Sequence, residues 1–262
     1  MTKSSEKRIA GILYDEWLDK AEKKAQPIFP ERKYSSNLIA FVDVLGIKKL
    51  IADHTSGNED VAIDKIEEMR KIVDTSSELI EDKNNFNYLH ISDSFVFICK
   101  PDSIILLIEL LSTIQTRIIQ ECKFLLRGAV TMGDAIVREE GKFIIGPAYI
   151  KAYQLQEKDA IYPRIIVDKS AVKAIEKKKE SVEKYLKRDA DKEWFIDYIK
   201  VCMARDSLSA ADMRIRLKRD RIFDHISRNF KDQYEQANHN IAQKYGWTMQ
   251  YCKALGVWED GQ

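Results

Sequence analysis

Apolar positions along the chain change their spacing several times, and each change predicts a new element. Asn37–Val44, with the sequence NLIAFVDV, is rich in β-branched and aromatic residues and predicts a buried strand. Gly46 ends this strand, and a helical pattern with charged residues on one face follows from about residue 60 to residue 80.

Two short apolar runs follow that helix. Phe86–Ile91 and Ser94–Cys99 predict two strands joined by a tight turn at Ser92 and Asp93. Ile and Leu residues then recur at helical spacing, which predicts a helix over Asp102–Cys122.

The second half of the chain continues with mixed strands and helices. In order, the pattern predicts a strand in Phe124–Val137, a helix over Pro147–Gln156, a strand over Arg164–Val167, a lysine-rich helix capped by Ser170, a last strand over Trp194–Val201 and helices from about Ser209 to Tyr245. The resulting βαββαβ order predicts an α+β, ferredoxin-like fold with helices packed on one face of the sheet. The simplest partition is an N-terminal extension (1–34), one catalytic-type domain (35–200) and a helical C-terminal extension (201–262).

Composition narrows the functional classes. The 262 residues include 43 basic and 42 acidic ones, so the net charge of +1 argues against a strong general attraction to nucleic acid or membranes. The four cysteines form no CxxC pair and predict neither a zinc site nor a disulfide framework. Because the apolar stretch 104–119 contains Glu109 and Arg117 and the first ten residues lack a signal-peptide pattern, we expect a cytoplasmic protein without a membrane segment.

Asp43 is the first candidate for chemistry. It stands at the end of an apolar strand, and Gly46 then allows a tight turn whose free N–H groups could hold phosphate oxygens. A solvated aspartate before an ordinary turn explains this segment equally well.

Asp93 is a candidate for chemistry only in combination with Asp43. Aspartate is common in turns, so alone it indicates little. In a ferredoxin-like sheet, however, the first strand and the Ser92–Asp93 hairpin are neighbours, so the two carboxylates can converge at one edge. Two converging carboxylates favour a countercharge, and two Mg²⁺ or Mn²⁺ ions roughly 3.5–4 Å apart would provide it. Such ions activate a hydroxyl group and stabilise a pentavalent phosphorus.

Arg127 is the third candidate, in the segment Leu126–Gly133. An arginine in an apolar strand is costly to bury unless it meets an anion, and a triphosphate would serve. An edge-strand arginine that reaches water is the alternative. A fourth segment, Gly146–Leu155, enters a helix through Gly-Pro and could line a pocket or simply pack.

Together and in this order, the four segments resemble the class III nucleotidyl cyclases. The resemblance is closer to the bacterial pyrimidine cyclases of Pycsar antiphage systems. It rests on the sequence motifs FxDxxGxK, SDS, LRGA and GPAxxxAYxL, the downstream motif YPRI, and the segment Lys244–Trp247 near the end of the chain. It covers residues 37–168 well and the rest weakly.

The resemblance implies a cyclase domain with an antiparallel-rich sheet, assembled as a homodimer with its active sites at the interface. Asp43, Asp93 and the Val44 carbonyl would bind two Mn²⁺ or Mg²⁺ ions per site, and the turn of Leu45, Gly46, Ile47 and Lys48 would hold the triphosphate. The 3′-hydroxyl of the nucleotide would attack its α-phosphorus and release pyrophosphate. The product would activate a separate effector protein in antiphage defence.

Several positions depart from the purine cyclases that this family includes. Leu89 and Phe143 stand where those enzymes carry the Lys and Asp that read a purine base, which favours UTP or CTP as substrate. Ile150 and Gln154 replace the Asn and Arg that stabilise the transition state. Either Lys151, Tyr153 or Arg127 takes that role, or turnover is slow.

The sequence leaves three functions open: a uridylate cyclase, a cytidylate cyclase, and a catalytically silent module that binds a nucleotide. If Arg127 reaches across the dimer, mixing an Asp43→Ala chain with an Arg127→Ala chain should restore one site. Without rescue, both residues belong to the same half-site.

Overall fold

The apolar strand predicted around Asn37–Val44 lies inside the sheet, between β3 and β4. A computed structural model of the protein describes residues 33–47, 59–78, 80, 86–138 and 143–258. The strands are β1 (Ser35–Leu45), β2 (Phe86–Ile91), β3 (Ser94–Cys99), β4 (Leu125–Arg138), β5 (Phe143–Ile145), β6 (Ile165–Val167), β7 (Leu186–Arg188) and β8 (Trp194–Ile196). Their order in the sheet is β2-β3-β1-β4-β6-β8-β7, and β5 pairs separately with β4.

The helices connect these strands and follow them at the C-terminal end. They are α1 (Glu59–Ser77), α2 (Ile104–Arg117), α3 (Pro147–Lys158), α4 (Lys169–Lys177), α5 (Tyr198–Arg205), α6 (Ala210–Arg219), α7 (Ile222–Glu235) and α8 (His239–Ala254). The β1-α1-β2-β3-α2-β4 order and the β2-β3-β1-β4 arrangement confirm the predicted ferredoxin-like α+β fold. Among the described residues, every strand pair is antiparallel except β4 with β6.

Alternation along β1 explains why this strand has apolar residues on both faces. Leu38, Ala40 and Val42 enter the main core, whereas Ile39 and Phe41 enter a smaller apolar cluster on the opposite face. Helices α1 and α2 cover the main face, and α3 packs on the other through alanines at positions 148 and 152. The prediction that helices pack on one face is therefore wrong for α3.

The C-terminal helices share the main core with the sheet. Met213, Leu217 and Phe223 on α6 and α7, and Tyr251 on α8, belong to the same buried cluster as the strand residues. Tyr34–Gln262 form one compact unit.

Three predicted elements differ from the structure. The helix predicted over Asp102–Cys122 is α2 flanked by a 3₁₀ turn (Pro101–Ser103) and a π-helical turn (Ile118–Cys122). The strand predicted over Trp194–Val201 ends at Ile196, because the apolar residues after Asp197 are buried at helical spacing in α5. The helical region that begins near Ser209 divides into α6, α7 and α8.

The lysine-rich helix α4 also begins differently from the prediction. Asp168, and not Ser170, is its N-cap, and the Asp168 side chain accepts a hydrogen bond from the Ser170 backbone N–H. Ser170 instead donates through its hydroxyl to the same carboxylate.

Candidate active site

Asp43 lies on the central strand, between two residues of neighbouring strands. In the sheet register it is opposite Ser94 of β3 on one side and opposite Arg127 of β4 on the other. Its side chain is 13% exposed. Side chains of adjacent strands that share a register position point to the same face, so the register alone brings these three residues together.

Arg127 forms an ion pair with Asp43 within one chain. Its Nε donates to Asp43 Oδ2 at 3.0 Å, and the Arg127 side chain is 22% exposed. A pair this shielded from water is held more firmly than an exposed one. An arginine in an apolar strand needs an anion as partner, and the Asp43 carboxylate supplies it for Arg127.

Two further hydrogen bonds hold the Asp43 carboxylate. Gln156 donates through Nε2 to Oδ2 at 3.3 Å, and the Ser94 hydroxyl donates to Oδ1 at 3.4 Å. Gln156 is buried on α3 and was not among the candidates. It continues the buried stripe of Ala148 and Ala152 at four-residue spacing. A polar residue in such a stripe is the signal that could have identified it.

Asp93 lies in the β2–β3 turn, at the end of the sheet where β1 finishes. Ser92 takes a left-handed conformation with φ of 56°, which closes the predicted tight turn. The Asp93 carbonyl accepts a hydrogen bond from the Val44 N–H at 3.0 Å. The backbone of Asp93 is therefore joined to the residue that follows Asp43, while its own side chain is partly exposed.

In the turn after β1, most side chains face the core, so the backbone is the part available to a ligand. Val44 and Ile47 are buried in the main core, and Leu45 packs against it. Gly46 has φ of 97°, a conformation that favours glycine. Lys48 lies outside the described residues.

The residues predicted to read the base lie on different strands. Leu89 of β2 packs against the smaller apolar cluster, and Phe143 of β5 is 38% exposed. Tyr153 of α3 is also exposed, with its ring 5.4 Å from that of Phe41.

Lys151, another candidate, is engaged in a polar network away from Asp43. Its ammonium donates to Asp168 Oδ2 at 2.5 Å, and Thr131 and Ser170 donate to the same oxygen. Burial would raise the pKa of Asp168, but hydrogen bonds from Lys151, Ser170 and Thr131 outweigh it and lower the pKa to about 2. Lys151 therefore joins α3 to the start of α4.

Lys244 of α8 is a second residue near the site that was not among the candidates. Burial lowers its pKa, the Arg127 guanidinium lowers it further, and the Asp43 carboxylate opposes them. The Lys244 ammonium is thus within electrostatic reach of both residues. Lys244–Trp247 forms part of the resemblance, but with more than 100 residues between them no local pattern links Lys244 to Asp43 or Arg127.

The donor set suits a hard divalent cation only in part. Asp43 and Asp93 offer carboxylate oxygens, the ligands that Mg²⁺ and Mn²⁺ favour. Among the described residues, however, no group of three or more His, Cys, Asp or Glu side chains could hold a metal ion. Asp43 Oδ2 is also shared by Arg127 and Gln156. A cation here would therefore need substrate oxygens among its ligands, as Mg²⁺ commonly has.

Two further observations concern other chemistries. Burial raises the pKa of Cys99 and Cys252 to about 12, which disfavours a thiolate nucleophile at either position. Within the part of the chain that the structure describes, no helix combines the length and the apolar character needed to cross a bilayer.

Comparison with known proteins gives similarity of fold only. No protein-family model and no curated protein matches the chain. Similar solved structures include the guanylyl cyclase domain of the RhoGC fusion protein from the aquatic fungus Blastocladiella emersonii, with TM-score 0.46 and 12% identity over 62% of this chain and 95% of that chain. The adenylyl cyclase CyaB from P. aeruginosa has TM-score 0.44 and 12% identity, covering 63% and 93%.

A third similar structure is that of a bacterial light-regulated adenylyl cyclase. It has TM-score 0.44 and 11% identity over 66% of this chain, and the match spans 57% of that chain. With TM-scores below 0.5, the activity has to be argued from the site itself.

Proposed function

We propose that the protein is a nucleotidyl cyclase that converts UTP to 3′,5′-cyclic UMP and pyrophosphate, with CTP as the alternative substrate. The observation that carries this proposal is the half-buried Asp43–Arg127 pair on adjacent strands, beside the turn that contains Asp93. Acid and base side chains are thus available at one edge of the sheet for the cations and the phosphates of a nucleotide.

The reaction is an internal displacement at phosphorus. The 3′-hydroxyl of the ribose loses its proton to water and its oxygen forms a bond to the α-phosphorus, while the bond from that phosphorus to the bridging oxygen of the leaving pyrophosphate breaks. Divalent cations, when bound, activate the hydroxyl and neutralise charge on the phosphates.

The residues of this chain contribute binding and orientation. Asp43 and Asp93 would hold the cations, together with the Val44 carbonyl. The N–H groups in the turn after β1 would bind phosphate oxygens. Arg127 would exchange the Asp43 carboxylate for a phosphate oxygen and stabilise the negative charge of the transition state. Gln156 and Ser94 keep the Asp43 carboxylate oriented during that exchange.

The preference for a pyrimidine rests on Leu89 and Phe143. An apolar side chain at each position cannot hydrogen-bond to a purine edge. The resemblance to Pycsar cyclases supports the same choice, and with it a cytoplasmic role in antiphage defence through a separate effector activated by the cyclic nucleotide.

A homodimer is supported by large apolar side chains exposed on β5 and α3. Ile145 is 50% exposed, Ile150 is 54% exposed and Tyr153 is 43% exposed. Such a concentration of exposed apolar surface is typical of an interaction site. We expect it to contact a second copy of the chain.

Product analysis tests the proposal. Purified protein is incubated with each of the four ribonucleoside triphosphates and Mn²⁺, and cyclic nucleotides are identified by mass spectrometry. We expect cyclic UMP, and a loss of at least roughly 100-fold in rate for Asp43→Asn and for Asp93→Asn. Asp102→Asn is the matched control, because its side chain is 94% exposed. No cyclic product from any nucleotide contradicts the proposal.

One observation favours the silent module as a second candidate. Ile150 and Gln154, which stand where the resemblance expects the transition-state Asn and Arg, are both exposed on α3. If UTP binds in an Asp43-dependent manner and no product forms, the protein is a catalytically silent module that binds a nucleotide.

A further inference from the structure

A cavity lies beside β7, the edge strand at the opposite end of the sheet from β2. Its volume is about 430 Å³, within the range of roughly 300–1,000 Å³ that small-molecule sites have. Leu186 of β7, Trp194 of β8 and Leu255, which follows α8, supply its apolar lining. In the sheet, β7 is four strands from β1, which at about 4.8 Å per strand separates the two by roughly 19 Å. The cavity is therefore distinct from the candidate active site at Asp43.

Asp197 contributes a nearly buried carboxylate to this cavity. It is 3% exposed and is the N-cap residue of α5, yet its side chain accepts no hydrogen bond from that helix. Tyr251 caps the helix instead, because its hydroxyl oxygen accepts from the Ile199 N–H at 3.1 Å. The same hydroxyl donates to Asp197 Oδ1 at 2.8 Å. Within the part of the chain that the structure describes, Asp197 Oδ2 accepts no hydrogen bond and the carboxylate forms no ion pair.

A carboxylate this buried is costly when one of its oxygens has no partner. Burial raises the pKa of Asp197, while the Tyr251 hydrogen bond and the positive charges of Lys200 and Lys187 oppose that effect. An N–H group of a molecule in the cavity would give Oδ2 the donor that the chain does not supply.

Basic residues outnumber acidic ones among the other charged residues that line the cavity. Lys187, Arg188 and Lys200 are accompanied by one exposed acid, Glu183. The Lys187 ammonium lies 5.8 Å from the centre of the Tyr251 ring, and Lys200 donates to the Glu183 carbonyl at 2.9 Å. Neither lysine has a carboxylate partner among the described residues, so both charges are available to an anion.

Trp194 provides a flat apolar surface in the same cavity. Its side chain is partly exposed, and the Arg188 guanidinium lies 5.9 Å from the centre of its ring. Indole and guanidinium planes are both surfaces on which nucleobases stack. The lining therefore suits a ligand with a planar ring, an N–H donor and an anionic group.

A nucleoside phosphate carries all three of these groups. We propose that the cavity is a second ligand site that binds a nucleoside phosphate. The base lies against Trp194 and donates an N–H to Asp197 Oδ2, and the phosphate contacts Lys187 and Lys200. This inference does not depend on the proposed cyclase activity, because none of these residues belongs to the candidate active site.

Isothermal titration calorimetry on the full chain tests the site. UMP, CMP, AMP and GMP are titrated without divalent cations into the wild type, Asp197→Asn, Lys200→Ala and the control Lys231→Ala, whose side chain is 74% exposed on α7. Asp197→Asn keeps an oxygen for the Tyr251 hydroxyl and replaces the unpartnered acceptor with an NH₂ donor. Lys200 is exposed, so its replacement leaves the core intact.

We expect at least one of the four nucleotides to bind more tightly than its nucleoside or inorganic phosphate. Binding should be roughly tenfold weaker in Asp197→Asn and in Lys200→Ala and unchanged in the control. Asp43→Asn should bind as the wild type does, which separates this site from the candidate active site. The inference is overturned if none of the four nucleotides binds, if both cavity variants bind as the wild type does, or if inorganic phosphate binds as tightly as the nucleotides.

Tryptophan fluorescence tests the position of the base. A base stacked on Trp194 should quench its indole emission, and Trp194→Phe should abolish the change, although the other three tryptophans remain. The same quenching in Trp194→Phe would show that the base does not lie in this cavity.

Discussion

At the scale of single residues, Asp43 and Arg127 depend on each other. Their ion pair forms between two strands of one chain, so we expect both to serve the same active site. A heterodimer of Asp43→Ala and Arg127→Ala chains should therefore show no recovery of activity over the separate variants. The measurement is cyclic UMP formation by heterodimers isolated with two different affinity tags. Recovery in the heterodimer would mean that Arg127 acts in the partner's site.

The site was only partly predictable from the sequence. Asp43 and Arg127 were identifiable because a charged residue in an apolar strand is costly to bury without a reason. Gln156 could be noticed only as a polar residue in the buried stripe of α3. Its hydrogen bond to Asp43 could not be predicted, because it forms only once α3 has packed on the sheet. The roles of Asp93 and Arg127 in catalysis remain predictions.

At the scale of elements, the close approach of β1 and β4 depends on Gly128. A Cβ atom there would lie 2.6 Å from the Phe41 carbonyl oxygen and 3.1 Å from Val42 Cα. Gly128→Ala must therefore push the two strands apart, and we expect it to lower the free energy of unfolding by about 1–3 kcal/mol. Activity should fall as well, because the shift separates Asp43 from Arg127.

Gly133→Ala on the same strand is the control. Its Cβ would lie 3.3 Å from the Ala148 Cβ, a contact that a small shift of α3 relieves. Urea denaturation should rank the stabilities as wild type, then Gly133→Ala, then Gly128→Ala. The reverse order of the two variants would show that the strand spacing is not limited by Gly128.

The junction between α3 and α4 should give a measurable dependence of stability on pH. The pKa of Asp168 is lowered from 3.8 to about 2 in the folded protein, so the ionised carboxylate stabilises the fold above its unfolded pKa. This contribution, about 2 kcal/mol, is lost as the pH falls from about 4 towards 2. Asp168→Asn keeps an N-cap residue and removes the charge.

Urea unfolding at several pH values measures this effect. The wild type should exceed Asp168→Asn in stability at pH 6, and the difference should shrink as the pH approaches 3. A difference that stays constant over this range would mean that the Lys151 ion pair does not stabilise the fold.

Most elements were predictable, but two of the three-residue strands, β5 and β7, were not. β2 and β3 have the bounds that the pattern predicts, because two short apolar runs and a two-residue turn define them locally. The three-residue strands β5 and β7 carry too little pattern to be recognised, and the sheet supplies their hydrogen bonds. Asp168 replaced Ser170 as cap because the choice depends on Lys151 and Thr131, which are distant in the sequence.

At the scale of the whole molecule, the exposed apolar residues of β5 and α3 should form a dimer interface. Ile150→Glu would place a charge in that interface, so we expect a monomer with much reduced cyclase activity. Ile215→Glu on α6, where the side chain is 67% exposed, is the control. Sedimentation velocity distinguishes the outcomes. A dimeric Ile150→Glu protein with full activity would place the interface elsewhere.

The central claim is that Asp43, Asp93 and Arg127 form one nucleotide site, and a crystal structure with a non-hydrolysable UTP analogue and Mn²⁺ tests it most directly. We predict that the triphosphate lies at the turn after β1, with Mn²⁺ bound to both aspartates and the Arg127 guanidinium moved from Asp43 to a phosphate oxygen. An analogue bound elsewhere, or an Asp43–Arg127 pair unchanged beside an ordered analogue, would contradict the claim.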